Sequence, residues 1–182
     1  MRVMLRWLGA WLGATFGETV AVVDGLPLHQ SEDRLKAVGA GAASTGAVGL
    51  FHIAGVTPEA PTVSAVCDIN QAERVPLTLE AVRATRDRLS TVSGDQIDAV
   101  AVGSPHFSLS EFSELATVAR GRRFKIPFFA CTGRDVIRAL EGTEDRATLD
   151  VAGLTFVADL SLIHISEPTR RTPISYAVFC LK

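Results

Sequence analysis

The most regular pattern of apolar and polar positions lies in the second half of the chain. Three compact apolar runs there have the length of buried strands and are apolar on both faces: 97–103, 125–132 and 154–159. Two helices are predicted between these runs. The first has Ser110 as its cap and Gly121 as its stop signal, and the second spans 134–141. This order of elements, with short connections, predicts a parallel sheet with right-handed crossovers.

The first half repeats this organisation with a weaker signal. The pattern predicts a capped helix rich in small residues over 31–43, a strand around 47–54 and an amphipathic helix over 78–92. The chain turns polar at 70–76, which is the predicted domain boundary. Together the two halves predict the α/β class, with three α/β/α layers and a mainly parallel sheet.

The first residues combine early arginines with an apolar stretch, as a signal peptide does. However, Arg6 interrupts this stretch, glycines alternate with its later apolar residues, and no clear small-residue cleavage site follows. The stretch is also too short and too broken for a membrane span. We therefore expect it to form an edge element of a larger domain.

Composition limits the kinds of binding partner and cellular compartment that we expect. At 182 residues, the chain is long enough for a stable core without covalent cross-links. Its net charge of −2 gives no electrostatic reason to expect nucleic acid or an anionic membrane as partner. The three cysteines are too scattered for a disulfide framework, which favours a reducing, cytoplasmic setting: Cys67, Cys131 and Cys180.

Polar or reactive residues follow all three predicted strands of the second half. In open α/β sheets, ligands bind beyond the carboxyl ends of the strands. Those ends carry Ser-Pro-His at 104–106, Cys-Thr-Gly-Arg at 131–134, and Asp159. The sequence therefore predicts a ligand crevice formed by these segments.

Cys131 admits two interpretations from its position. It ends a buried strand ahead of a helix start, where free amides and the helix dipole favour a thiolate, either as a nucleophile or as a ligand of a soft metal. The alternative is a buried structural cysteine, which is also what we expect of Cys67. The chain contains no CxxC, HExxH or GxSxG spacing that would decide between them.

Two histidines share this ambiguity. His106 follows Pro105 in a stiff loop and can serve as acid, base or hydrogen-bond donor; the alternative is a packed histidine bonded to a backbone carbonyl. His52 lies in the middle of an apolar strand, where a satisfied core histidine is the commoner interpretation.

The glycine-rich segment before His52 carries a weaker signal. Residues 44–46 (Ser-Thr-Gly) form a predicted polar turn, with hydroxyls and amides suited to a carboxylate or phosphate. The segment lacks the GxGxxG and GxxxxGK spacings, so a dinucleotide or P-loop site has little support. The arginines at 83, 86 and 88 are predicted to form a solvated helix face.

Taken jointly, three segments resemble aconitase X, the divergent branch of the aconitase superfamily. They are LKAVGAGAASTGAVGLFHIAGVTPEAPT (35–62), VAVGSPHFSLSEFSELA (100–116) and FFACTGRDV (128–136). AGLTFVAD (152–159) is similar to the start of a further family segment, in which a cysteine soon follows the aspartate. The resemblance covers about residues 8–159, the later part of the family's large subunit or large domain. It implies an aconitase-like fold that is incomplete in this chain.

The resemblance also implies a lyase, specifically a hydro-lyase that binds an iron–sulfur cluster or iron through cysteines. Cys131 matches a metal ligand, and His106, Ser108 and His52 match segments implied to be catalytic. The implied substrate-binding residues are Ser44, Thr45, Gly46, Thr57, Glu59 and Arg134. The implied partners are a small hydroxy-acid substrate and the small subunit or swivelling small domain of the same enzyme.

Two branches of the family and one unrelated function compete. The PHFSL form of the loop resembles the bacterial branch, which implies dehydration of cis-3-hydroxy-L-proline. The archaeal branch, the phosphomevalonate dehydratases, would need a phosphate cradle of Lys or Arg, and only Arg134 stands near the strand ends. The non-enzymatic rival is a flavodoxin-like binding module that uses the same strand ends without metal. Ser104 stands where some members carry cysteine, and one matched cysteine does not hold a cluster, so we expect the chain alone to be inactive.

Residues 160–182 break the preceding periodicity. SLIHISEPTR (161–170) resembles a translated sequencing-library adapter. We therefore divide the chain into 1–159, a fragment of the large-subunit catalytic region, and 160–182, a non-native tail. A genuine extended C-terminal segment is the alternative.

Overall fold

The computed structural model describes residues 4–91, 94 and 96–159. The chain divides into two compact units on either side of the Leu89–Ser90 bond. The boundary predicted at 70–76 is therefore wrong. Those residues precede a helix that belongs to the first unit, so their polarity reflects an exposed loop.

Unit 1 contains three helices and a two-stranded sheet. In chain order its elements are α1 (Met4–Phe16), β1 (Ala21–Val23), α2 (Glu32–Gly46), β2 (Phe51–Ile53), a short 3-10 turn (Val63–Ala65) and α3 (Leu79–Leu89). Strands β1 and β2 are parallel, with Ala21 opposite Phe51. The apolar N-terminal stretch is thus a helix within the core, and its Leu8 and Leu12 pack with Val38 and Ala42 of α2.

Glycines bring α1 and α2 into close contact. A Cβ atom at Gly9 would overlap the backbone of Val38, and one at Gly46 would overlap the carbonyl group of Gly13. The glycines that weaken the apolar pattern of the N-terminal stretch are therefore what lets the two backbones approach. No helix within the described residues has both the length and the apolar character that crossing a bilayer requires.

Unit 2 alternates strands and helices. Its elements are β3 (Val100–Val102), α4 (Leu109–Ala119), β4 (Phe128–Thr132), α5 (Arg134–Leu140), α6 (Glu144–Ala152) and β5 (Leu154–Ala158). The sheet order is β3-β4-β5 and both pairs are parallel, with Val100 opposite Phe128 and Phe128 opposite Leu154. The predicted α/β class with mainly parallel strands is confirmed.

The core of unit 2 lies between its sheet and the helices α4 and α6. Phe112 of α4 and Leu149 of α6 are fully buried beside Phe128 and Ala130 of β4. Helix α6 was not among the predicted elements because its sequence is short and largely polar. Thr143 caps it, accepting a hydrogen bond from the Arg146 amide at 3.2 Å, and Gly153 ends it with a φ of +87°.

The predicted cap of α4 is wrong by two residues. Ser108, not Ser110, has the extended backbone of a cap, and its hydroxyl accepts from the Glu111 amide at 3.2 Å. The Glu111 carboxylate accepts in return from the Ser108 amide at 3.1 Å, which completes a capping box. The pattern of apolar residues allowed either serine, and the reciprocal bond to Glu111 decides between them.

Candidate active site

The carboxyl ends of β3, β4 and β5 bring together the three segments that the sequence predicted to form a crevice. The Phe107 amide donates to the Cys131 carbonyl oxygen at 2.9 Å, and the Thr132 hydroxyl donates to the Phe107 carbonyl oxygen at 2.6 Å. The Asp159 amide donates to the Thr132 carbonyl oxygen at 2.9 Å. The loop after β3 is therefore held against Cys131 and Thr132 at the end of β4. The end of β5 is held against Thr132.

Gly103 allows this close approach. Its φ is +103°, and a Cβ atom there would overlap the Cys131 carbonyl oxygen. Any other residue would have both an unfavourable backbone conformation and a steric clash with β4. The path of the 103–108 loop thus depends on glycine at its first position.

Cys131 lies in β4 with its side chain fully buried. Burial raises the pKa of its thiol above the ordinary 9.0, because a charged thiolate loses the solvation that water provides. The prediction that the following helix start favours a thiolate is therefore wrong for the protein without metal. Desolvation outweighs any effect of α5, which is a short helix of seven residues.

A cluster of metal ligands is not assembled by the described residues. None of them form a group of three or more His, Cys, Asp or Glu side chains able to hold a metal ion. Iron–sulfur clusters usually take three or four protein ligands. Cys131 fits as one ligand, but the described part of the chain does not supply the rest of the set.

His106 and Ser108 lie on the loop between β3 and α4. His106 is exposed, which contradicts the packed side chain of the alternative interpretation, whereas its bond to a backbone carbonyl stays a prediction. Ser108 is half-buried, and its hydroxyl accepts the Glu111 amide of the capping box. A chemical role for Ser108 would therefore have to coexist with its structural role at the start of α4.

Arg134 and Asp159 form an ion pair at the ends of β4 and β5. Arg134 Nε lies 2.6 Å from Asp159 Oδ2, and the Arg134 amide donates to Asp159 Oδ1 at 3.2 Å. The sequence placed both residues at strand ends but did not pair them. Their parallel, neighbouring strands were the signal that could have done so.

In unit 1, His52 lies half-buried in β2. Its Nδ1 atom is buried and has no hydrogen-bond partner among the described residues. A core histidine normally pairs such an atom. At this nitrogen, the described residues do not provide the partner that a satisfied core histidine would have.

Thr57 and Glu59 lie in the turn after β2. The Thr57 hydroxyl accepts from the Ile53 amide at 3.0 Å and donates to the Ile53 carbonyl oxygen at 3.2 Å. Both bonds close the turn locally, whereas Glu59 is exposed. Of the two predicted substrate-binding residues here, Glu59 is the one whose side chain faces solvent.

Residues 44–46 are the last turn of α2, so the predicted polar turn is wrong. The Thr45 hydroxyl donates to the carbonyl oxygens of Gly41 and of Ala10 in α1, at 2.8 and 3.0 Å. Ser44 is exposed, and its hydroxyl donates to Gly41 at 3.1 Å. The glycine-rich composition of the segment is typical of a turn, yet packing against α1 keeps it helical.

Cys67 and the arginines of α3 were expected to lie outside any site. Cys67 is half-buried. The arginines of α3 are exposed, as predicted for a solvated face: Arg83, Arg86 and Arg88. Arg86 also lies over the Trp7 ring, 5.9 Å from its centroid, which ties α3 to α1.

Two family models match the chain. The second domain of aconitase X matches residues 2–87, and the third domain of aconitase X matches residues 97–179. The gap between the matches contains the boundary between the two units. The second match extends through most of the segment predicted to be a non-native tail, and that segment lies outside the described residues.

Curated proteins with similar sequences carry two names. A cis-3-hydroxy-L-proline dehydratase of Pseudomonas aeruginosa is 35% identical over 154 residues, which cover 82% of this chain and 26% of the relative. A phosphomevalonate dehydratase large subunit of Methanothermobacter thermautotrophicus is 31% identical over 135 residues, covering 74% of this chain and 33% of the relative. The chain thus spans about a quarter to a third of these two relatives.

A solved structure has the same fold. The holo-form of aconitase X from Thermococcus kodakaraensis matches with a TM-score of 0.77 and 26% sequence identity, over 88% of this chain and 41% of that one. This match confirms the predicted aconitase-like α/β fold. Together, the two domain matches and the structural match show that the chain belongs to the aconitase X family.

Proposed function

We propose that this chain is part of a hydro-lyase that removes water from cis-3-hydroxy-L-proline. The observation that supports the proposal is the set of hydrogen bonds that hold the 103–108 loop and Asp159 against Cys131 and Thr132 at the strand ends of unit 2, in a member of this family. The greater identity to the Pseudomonas aeruginosa dehydratase than to the Methanothermobacter thermautotrophicus large subunit favours this substrate.

The side chains at these strand ends can supply different groups that a dehydration needs. Dehydration needs an acceptor for a proton and donors that hold the substrate carboxylate. The Arg134 guanidinium can bind a carboxylate through two parallel hydrogen bonds. His106 is exposed on the adjoining loop, and its imidazole is a candidate acceptor for the substrate proton. Loss of the proton and the hydroxyl from neighbouring carbons leaves a double bond and releases one water molecule.

We also propose that Cys131 is one ligand of an iron or iron–sulfur centre. Such a centre supplies a Lewis acid for the leaving hydroxyl. Binding requires the thiolate, so metal loading must release the proton that burial retains on Cys131. The other ligands belong to residues outside the described part of the chain.

The family segments of unit 1 give the remaining candidates for substrate binding. His52 has a buried Nδ1 with no partner among the described residues, and Glu59 has an exposed carboxylate. Ser44 is exposed as well, whereas the hydroxyls of Thr45 and Thr57 already donate to backbone carbonyls. We therefore rank His52, Glu59 and Ser44 ahead of Thr45, Thr57 and Gly46.

The phosphomevalonate dehydratase reaction is the second candidate. It is supported by a relative that is 31% identical over 74% of this chain. That relative is named a large subunit, so we propose a small subunit or small domain as the physical partner of this chain. We propose a cytoplasmic location, which is in keeping with the two free cysteines among the described residues: Cys67 and Cys131.

We retain the proposal that residues 160–182 are not native, because SLIHISEPTR resembles an adapter sequence. Reading the source DNA past the codon for Asp159 tests it. A continuing reading frame with a different sequence, including a cysteine codon soon after, would support the proposal. Genomic DNA that encodes SLIHISEPTR would refute it.

The activity test uses the protein encoded by the full source gene, reconstituted with iron and sulfide without oxygen. We expect loss of cis-3-hydroxy-L-proline, followed by NMR, to be faster than loss of phosphomevalonate. Cys131→Ala should abolish both turnover and iron uptake, whereas the matched control Cys67→Ala should preserve them. If the iron-loaded protein dehydrates neither compound, or if it binds substrate equally well without metal, the binding-module alternative replaces our proposal.

A further inference from the structure

We propose that Asp159 is a positioning residue that orients the Arg134 guanidinium toward the carboxylate of the substrate. This inference rests on the proposed function, and it assigns a specific role to a residue that the sequence pattern placed only among the strand ends of the predicted crevice. Asp159 does not itself contact the substrate in this arrangement. It acts through Arg134.

Three contacts fix the carboxylate of Asp159 relative to Arg134. The Asp159 amide donates to the Thr132 carbonyl oxygen at 2.9 Å, which holds the end of β5 against the end of β4. Oδ1 accepts from the Arg134 amide at 3.2 Å, and Oδ2 lies 2.6 Å from Arg134 Nε. Both carboxylate oxygens of Asp159 thus contact Arg134: Oδ1 contacts its backbone amide, and Oδ2 contacts its guanidinium.

This geometry leaves the far edge of the guanidinium available. Only Nε pairs with Asp159, and the two terminal nitrogens have no hydrogen bond to the described residues. The Arg134 side chain is 71% exposed at the edge of the sheet where ligands bind. A guanidinium held in this way presents a planar pair of donors that matches a carboxylate.

Stability explains only part of the arrangement: Oδ1 accepts from the first backbone amide of α5 and so caps a helix whose N-cap residue, Gly133, has no side chain to do so. Asp159 has a φ of +53°, one of two such non-glycine residues in the described chain, and this backbone conformation is unfavourable for most side chains. The pair is exposed on both sides, and exposed ion pairs contribute little to folding. The cap accounts for the bond at Oδ1 but not for the contact of Oδ2 with the exposed guanidinium, and this contact carries the proposal.

A second pair in unit 2 provides a matched control. Arg146 Nε donates to both carboxylate oxygens of Asp150, at 3.0 and 2.9 Å, within helix α6. The Arg146 guanidinium also lies over the Phe156 ring, 4.1 Å from its centroid. This pair also joins an arginine Nε to an aspartate, here through hydrogen bonds to both oxygens, but it lies on a helix surface and we assign it no ligand.

The experiment uses the protein encoded by the full source gene and four variants: Asp159→Asn, Arg134→Gln, the double variant, and Asp150→Asn. Asparagine tolerates the left-handed backbone of residue 159, so the fold is retained while the charge is lost. Two quantities are measured by NMR. The first is exchange with water of the Nε protons of Arg134 and Arg146, and the second is the affinity for cis-3-hydroxy-L-proline, acetate and inorganic phosphate.

We expect Asp159→Asn to accelerate Nε proton exchange at Arg134 only, and Asp150→Asn to do so at Arg146 only. Asp159→Asn should weaken binding of cis-3-hydroxy-L-proline about three- to tenfold, since a free side chain must then be immobilised by the ligand. In the Arg134→Gln background, Asp159→Asn should have no further effect, because Asp159 acts only through Arg134. A purely structural role would not produce this dependence.

Other outcomes separate the two proposals. Additive effects of the two substitutions on affinity, or unchanged exchange at Arg134 in Asp159→Asn, would overturn the role of Asp159. Binding of acetate or phosphate with the expected coupling, but not of cis-3-hydroxy-L-proline, would preserve that role and reject the proposed substrate. If the wild-type chain binds none of the three probes, Arg134 is not an anion anchor and the inference fails.

Discussion

The two units use their polar side chains differently. In unit 1, the Thr57 hydroxyl closes a local turn, and Thr45 joins α2 to α1. In unit 2, Thr132 fastens a loop 25 residues away, and Asp159 fastens Arg134 across the same separation. These hydroxyls of unit 1 therefore bond within its turns and between its helices, whereas Thr132 and Asp159 of unit 2 join separate strand ends. Resemblance to a family segment does not tell whether a polar side chain bonds within its own helix or turn or joins separate strand ends.

The largest expected effect tests the helix packing of unit 1. Gly46→Ala would place a Cβ atom into the Gly13 carbonyl group, so α1 and α2 must separate. We expect a loss of about 3 kcal/mol in the free energy of unfolding, near the upper range for overpacking. Urea denaturation measures it. Gly49→Ala is the control, since a Cβ atom there meets nothing within 4 Å. Equal stability of the two variants would contradict the close packing.

The second prediction tests the attachment of the loop in unit 2. Thr132→Val removes the hydroxyl that donates to the Phe107 carbonyl oxygen and leaves that oxygen unpaired. We expect unfolding to become easier by about 1–3 kcal/mol, with amide NMR shifts at Gly103 and Phe107. Thr132→Ser should restore most of the loss. Thr155→Val, at an exposed position of β5, should change the free energy of unfolding little. A loss of stability comparable to that of Thr132→Val would show that the effect is not specific to the loop.

The third prediction concerns pH. Burial raises the pKa of the Cys131 thiol above 9.0, so the folded state retains a proton that the unfolded state loses as pH rises. The contribution of the Cys131 thiol to the free energy of unfolding is complete below the pKa that the thiol has in the unfolded chain. It falls as pH rises toward the pKa of the thiol in the folded chain, by at most about 1.4 kcal/mol per pH unit. Denaturation of metal-free protein above pH 9.0 measures it. Cys131→Ala should flatten the dependence, and an unchanged slope would contradict the assignment.

The smallest effect separates capping from chemistry at Ser108. Ser108→Ala removes the acceptor for the Glu111 amide and should cost about 1 kcal/mol of stability. Ser108→Asp should recover this stability, because aspartate also caps helices. If Ser108 serves only α4, activity of the intact enzyme will follow stability in both variants. Loss of activity in a stable Ser108→Asp variant would instead assign the hydroxyl to the reaction.

Local patterns predicted the parts of the fold that depend on neighbouring residues. The strand predicted at 125–132 is β4, and the helix predicted over 134–141 is α5 within one residue at its end. Both are bounded by glycine or proline and carry a clear apolar run. The strand ends were also placed correctly, so the meeting of these three segments at one edge of the sheet followed from topology alone.

Features that depend on distant residues were not predicted. Residues 44–46 are helical because glycines of α1 accommodate them, and these glycines lie far earlier in the chain. The raised pKa of Cys131 reflects burial by the assembled unit, which no local pattern reveals. The pairing of Arg134 with Asp159 needs the order of strands in the sheet. In each case tertiary contacts override or complete the local signal.

The close approach of Gly103 to the Cys131 carbonyl has a consequence for protein engineering. Because the first residue of the loop rests directly on β4, the loop and the strand end form one transplantable module. A graft of residues 103–108 into a relative would carry its geometry only if residues 131 and 132 moved with it. Changing substrate preference in this family by loop exchange therefore requires exchanging two distant stretches of sequence at once.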